Sequence, residues 1–333
     1  MTRIRAGILA GLICLLAVFF VSDLSFGPLH LSFSRIATAV FGSVPDQVHM
    51  AIWQIRLPGA CLAILTGFAL GLSGSEMQTI LNNPLASPFT LGVSAAAAFG
   101  ASLALILGWH LPGISSAAAV PANAFVFAVG SALLLNVVSR SREGEGVVLF
   151  GIALVFTFQA CVALLQFVAS EDTLQDLVFW TMGSVTRATW PRVICLGLAC
   201  LITGILSFRA APALTMLRLG DDRAAGLGID ARRVRFGALL RVSVLASLAV
   251  AFSGTIGFVG LVAPHISRHL FGEDHRWYLP GGALAGALIM SAASVTAKNT
   301  VPGQVLPVGI VTALAGVPFF IAVVLRRRGD RGE

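Results

Sequence analysis

The chain has 333 residues, of which 57% are hydrophobic and 11% charged, and its formal net charge is +7. Charged residues make up about a quarter of an ordinary soluble domain, so this composition excludes a soluble globular protein, a disordered chain and a collagen-like one. The apolar runs are too long for a soluble core and match the ~20 residues that cross a bilayer as a helix.

The distance between charges predicts the elements in chain order, because a charge at the bilayer centre costs roughly 2.5 to 3.5 kcal/mol. A first span is expected over 6–22. Arg3 and Arg5 precede it as they would precede a signal peptide, but no clean small-residue cleavage site follows, so it reads as a retained helix. The second span is 57–75, and the 63 uncharged residues of 77–139 hold a third and a fourth, hinged at 108–113. Spans five and six are expected over 147–170 and 193–208. Gly254, Gly257, Gly260 and Pro264 interrupt 242–266 and split it into a seventh span and a short eighth; 277–297 and 299–325 complete ten. The fold class is therefore an all-α polytopic membrane protein, a single membrane domain over 1–333 with both ends on one side.

Placing the ends inside puts seventeen of the 22 basic residues inside, among them Arg140, Arg142 and Arg331, and leaves Arg35, Arg56, Arg187, Arg192 and Lys298 outside. The positive charge is thus topological. The basic loops lack the interleaved aromatics of a nucleic-acid surface, and no nucleic-acid partner is expected.

Little in the chain carries chemistry. The cysteines Cys14, Cys61, Cys161, Cys195 and Cys200 sit in apolar runs at no metal-ligand spacing and read as small hydrophobes. His265 and His269 have the i, i+4 spacing of a zinc pair but enclose Ile-Ser-Arg without a general-base Glu, and read as a helix-end pair beside Arg268. The one lysine, Lys298, lies in Thr-Ala-Lys-Asn, which is no phosphate-binding loop, so the chain does not hydrolyse ATP by that route. No catalytic residues, bound metal or bound cofactor are expected.

Two connecting segments stand out. The inner one, 209–241, holds seven arginines with Asp221, Asp222 and Asp230, and reads as short surface helices, apolar on one side. Gly220, Gly226 and Gly228 favour docking of a cytoplasmic protein over lying on lipid headgroups, which gain little from glycine. The outer one, 170–191, carries Glu171, Asp172 and Asp176 ahead of Trp180 and Trp190 and reads as an interfacial belt. Glu76 is the firm intramembrane acid, near the inner end of its span; it reads as reaching interfacial water or, with Gln78, as lining a pathway. Ser73-Gly74 precedes Pro84 as Ser253-Gly254 precedes Pro264, 180 positions later, which raises a parallel repeat of spans two to five and seven to ten.

Residues 72–94 (LSGSEMQTILNNPLASPFTLGVS) and 257–268 (GFVGLVAPHISR), with 272–276 (GEDHR), resemble the permeases of FecCD-type ABC importers, which carry iron-siderophore complexes, haem or cobalamin. So do 56–58 (RLP), 180–184 (WTMGS), 219–228 (LGDDRAAGLG) and 306–320 (LPVGIVTALAGVPFF), in register along the whole chain. The resemblance implies a type II importer permease in the bacterial inner membrane, both termini cytoplasmic. It also implies partners: a second permease copy or related chain, two ATP-binding subunits that use ATP and Mg, and a periplasmic or lipid-anchored substrate-binding protein.

Carried over by position, the resemblance implies a coupling segment at Leu219, Gly220, Asp221, Asp222, Ala225, Gly226, Leu227 and Gly228. It implies an inner gate at Asn83, Pro84 and Leu85, and binding-protein docking at Arg56 and Lys298. The pattern is broken where the family often has arginine and this chain has Gly59, Asn82 and Lys298, and where it has acids and this chain has Ser294 and Val305. A ferric siderophore is the cargo expected first, then cobalamin or haem. An ion-coupled carrier resting on Glu76 is the alternative of another class, and a membrane enzyme has no catalytic constellation to support it.

Overall fold

The computed structural model describes residues 2–27, 38, 42, 46–139 and 145–329. Arg35, Arg140, Arg142 and Arg331 of the charge count lie outside the described residues. Among the described residues the chain is helical throughout, with no strand. Besides the five-residue helix Asp46–Met50, the helices are α1 (Thr2–Ser25), α2 (Leu57–Ile80), α3 (Val93–Leu107), α4 (Ser116–Ser139), α5 (Glu145–Val168) and α6 (Glu171–Thr181). They continue with α7 (Trp190–Leu217), α8 (Asp221–Gly226), α9 (Ala231–Ser253), α10 (Val259–Phe271), α11 (His275–Asn299) and α12 (Val308–Gly329).

The ten expected spans are α1 to α5, α7 and α9 to α12. Seven of them are long and apolar enough to cross a membrane, α2 counting from Gln47; α3 and the described part of α12 are shorter apolar helices. The short eighth span is α10, only 13 residues long. The expected last span, 299–325, starts late: Pro302 and Pro307 hold 300–307 out of the helix, and α12 begins at Val308.

Boundaries follow local chemistry. The chain enters α2 through a π-helical run, Ala51–Arg56, just before Pro58, which has no N–H for an α-type bond. Gly92 (φ 91°) and Gly108 (φ 63°) bound α3 in left-handed conformations that cost glycine nothing. Asp230 and Asp274 cap α9 and α11, their carboxylates accepting from the Arg233 and Arg276 amides.

α2 is the centre of the core. It is buried almost without interruption from Thr66 to Ile80, under α11, α9, α10 and α7. Glycines make this possible: a methyl placed on Gly67 would fall on the Gly286 carbonyl, on Gly71 on the Gly282 carbonyl, and on Gly74 on the Gly260 carbonyl. In a bilayer, where lipid tails are as apolar as leucine, such close backbone approach is a main source of helix association.

α2 and α9 run in opposite directions, since Arg235 meets Ile80 while Arg241, further along α9, meets Glu76, earlier on α2. That overturns a parallel relation between the second and seventh spans: an offset of five spans reverses direction. The sequence echo also falls on unlike positions. Ser73 and Gly74 lie inside α2 but Ser253 ends α9 with Gly254 as its cap, and Pro84 lies in a turn but Pro264 inside α10.

A candidate coupling and gating site

The end of the bundle where α2 and α7 finish and α9 begins carries the chemistry-bearing residues. After α2 the chain turns sharply: Asn82 takes φ 44°, the Asn83 amide donates to the Gln78 carbonyl at 3.1 Å, and Asn83 Oδ1 accepts from the Leu85 amide at 2.9 Å. Asparagine tolerates the left-handed region and closes such turns with its own side chain, which explains an Asn-Asn-Pro sequence here. Leu81, Asn82 and Asn83 face the start of α5 (Val148, Leu149, Ile152) across an open groove of about 710 Å³.

Of the 209–241 segment, only 218–230 lies outside long helices, because α7 runs to Leu217 and α9 begins at Ala231. Gly220 (φ 101°) and Gly228 (φ 78°) stand on either side of α8. Ala224 anchors α8 inward, while Leu219 and Leu227 are 51% and 61% exposed. Asp221 is held by Arg235 in a two-pronged pair, Nη1 to Oδ2 at 2.6 Å and Nη2 to Oδ1 at 2.8 Å, and Arg235 Nε also donates to the Ile80 carbonyl at 3.2 Å.

A second network lies beside it. Glu273 forms ion pairs with Arg218 at 2.9 Å and Arg268 at 3.2 Å, joining the end of α7 to the α10–α11 turn. His275 is fully buried, its Nε2 2.8 Å from Thr79 Oγ1 and its Nδ1 3.1 Å from Thr215 Oγ1, so it links α2, α7 and α11. His265 and His269 face each other at 3.1 Å between Nε2 atoms, with Phe319 edge-on to His265. No group of three or more metal-type ligands occurs among the described residues.

Glu76 does not reach interfacial water. It is 1% exposed and accepts from Arg241 Nε at 3.0 and 3.1 Å, so the acid expected to stand alone is one half of an ion pair between α2 and α9. Gln78 is equally buried and donates to the Leu261 carbonyl of α10 at 3.4 Å. Neither side chain reaches the surface of this chain.

The FecCD transport family profile matches residues 14–326. The chain belongs to the FecCD transport family. It is 34% identical to the hemin transport system permease protein HmuU of Yersinia pestis over 99% of this chain and 98% of that one. It is 32% identical to the vitamin B12 import system permease protein BtuC of Vibrio vulnificus over 95% and 94%. A solved metal-chelate-type ABC transporter in an inward-facing conformation superposes with a TM-score of 0.85 at 31% identity, covering 96% of this chain and 99% of that one.

In this FecCD chain the two outer cations that the resemblance offers for docking turn inward. Arg56 is 9% exposed, and its Nη1 donates to the Leu24 carbonyl at 2.6 Å and the Ser25 carbonyl at 3.3 Å, closing the carbonyl end of α1. Lys298 Nζ lies 3.0 Å from Asp23 Oδ2 and donates to the Asp23 carbonyl at 3.0 Å. Both hold α1 against α2 and α11. Ser294, where the family has an acid, is buried on α11; Asp23 of α1 supplies the carboxylate to Lys298 instead. Truncating Lys298 to Ala is expected to lower stability by about 2–3 kcal/mol by stranding a buried carboxylate. Asp23→Asn with Lys298→Ala should recover part of the loss in thermal unfolding of the detergent-solubilised protein.

Arg235, Arg241, Asp23 and His275 were not legible as site residues. Arg235 and Arg241 read as loop charges in a basic segment. The one usable signal was Glu76, since an acid inside a membrane requires a cation nearby.

Proposed function

We propose that this chain is the membrane-spanning permease of an ATP-driven importer, taking up a ferric siderophore or similar iron chelate across the bacterial inner membrane with both termini cytoplasmic. It works as a pair of permeases, with two ATP-binding subunits inside that use ATP and Mg, and a binding protein outside. The observation that carries the reading is α8: a short helix flanked by left-handed glycines, anchored by one buried alanine, with apolar Leu219 and Leu227 turned outward among acids and arginines. An exposed apolar pair rimmed by charge suits a protein partner better than water. With no phosphate-binding loop of its own, the chain needs such a partner to supply the energy.

The inner turn at Asn83, Pro84 and Leu85 is the gate in this reading, opening onto the groove beside α5. Haem or cobalamin is the second cargo reading, favoured by the hemin and vitamin B12 permeases among the relatives. The ion-coupled carrier loses its motive, because Glu76 is committed to Arg241.

The test is a tagged pull-down from native membranes in mild detergent, with partners identified by mass spectrometry and the eluate assayed for ATP hydrolysis. A co-purifying ATPase supports the importer; an ATPase-free dimer that transports under an ion gradient overturns it. Within that complex, Asp222→Arg should cut uptake by about tenfold or more while leaving membrane insertion intact, because a reversed charge at a docking face costs more than 1.4 kcal/mol. Wild-type uptake in Asp222→Arg would remove α8 from the coupling role.

A further inference from the structure

We propose that Arg235 is the positioning residue that transmits movement of α8 to the inner turn at 81–86. The inference rests on the importer reading and names the part that does the coupling. Three of the guanidinium's N–H groups are engaged at once: two grip Asp221, the first residue of α8, and the third holds the carbonyl of Ile80, the last residue of α2. The turn containing Asn83 starts at the very next residue.

The geometry suits transmission for three reasons. A guanidinium is planar and its donors are fixed relative to one another, so displacing the carboxylate re-aims the donor on Ile80. The Ile80 carbonyl, at the end of α2, lies where a helix leaves its last carbonyls without intrahelical partners, so the arginine is the side chain bonded there and not a competitor to the ladder. α8 can move as a unit, because the glycines beside it occupy a region of backbone space they enter and leave freely.

The surrounding contacts narrow the route. The Arg218–Glu273–Arg268 network reaches the α10–α11 turn and does not touch 81–86. His275 meets α2 at Thr79, but from α7 and α11 and without contacting α8. Arg235 bonds both α8 and the end of α2. Its pair with Asp221 is partly exposed, with side chains 33% and 43% accessible, so it contributes little to stability and the variants should fold.

The experiment uses the complex purified with its own ATPase and compares amide hydrogen exchange with and without ATP-vanadate. The amides of Leu81 and Asn83, bonded back to the Met77 and Gln78 carbonyls of α2, and of Ala86, bonded to the Asn83 carbonyl, report the gate without any cargo. Wild type should show a nucleotide-dependent change in exchange there. In Arg235→Ala and Arg235→Lys that change should fall by at least about fivefold, the scale of an allosteric coupling, while ATP hydrolysis stays within about twofold. Lysine keeps the charge but cannot hold Asp221 and the Ile80 carbonyl in one plane. Arg233→Ala, an exposed neighbour paired only locally with Asp230, should behave as wild type. A full wild-type response in Arg235→Ala overturns the inference alone. A wild-type permease with no ATPase overturns the importer reading and this inference with it.

Discussion

Replacing Arg241 by Met is expected to destabilise the permease by about 3–5 kcal/mol, because it leaves a buried carboxylate without a cation. Glu76 is almost inaccessible and Arg241 only 12% exposed, so water cannot take over the lost bonds. The pair lies where α2 and α9 cross, and the uncompensated charge would drive these helices apart. The double variant Glu76→Gln, Arg241→Met should recover most of the loss, since replacing a buried ion pair by neutral groups of similar size is often close to neutral. Tryptophan fluorescence during heating of the detergent-solubilised protein reads both. An unchanged midpoint for Arg241→Met would show that the pair is no tie.

The second large effect is expected at the glycine seam. Gly286→Leu places a side chain on the Gly67 carbonyl and the Gly71 Cα, both backbone, so no rotamer change relieves the clash. Overpacking commonly costs about 1–3 kcal/mol where side chains can shift, and here two helix bodies must separate along the most extensive contact in the fold. Monodisperse protein recovered in mild detergent should fall sharply, and Gly286→Ala should be intermediate. Gly11→Ala in α1 is the control: nothing lies within 4 Å of the added carbon, and the exchange should be neutral or slightly stabilising. If Gly286→Leu were recovered like Gly11→Ala, the seam would not be what holds α2 to α11.

Much of the fold was legible, and for a simple reason. The bilayer penalises charge so strongly that gaps between charges, with glycine and proline marking the split of 242–266 into α9 and the short α10, placed a helix at each of the ten expected positions, seven of them long and apolar enough to cross a membrane. Three of the misplaced boundaries fall at a charge that has a partner on another helix. The charge gaps ended the second span at Ser75 because Glu76 follows, yet α2 continues to Ile80; they began the seventh at Val242 because Arg241 precedes, yet α9 begins at Ala231. These are the two halves of one ion pair, 165 residues apart. Asp23 closed the first span early in the same way, its partner being Lys298.

The sequence alone determined the membrane class, the order and approximate position of the apolar helices, and the family to which 72–94, 219–228 and 257–268 point. Each of these depends on local composition or on residue order. Only the tertiary structure decided that Glu76 is a buried tie, that Arg56 and Lys298 hold α1, that α2 and α9 are antiparallel, and that Arg235 joins α8 to the end of α2. Those facts depend on which distant charges meet, and in a chain with many arginines and few acids the pairing is chosen by how closely the helices approach. The glycines of α2 and α11 set that approach, and their meaning appears only when the two helices are brought together.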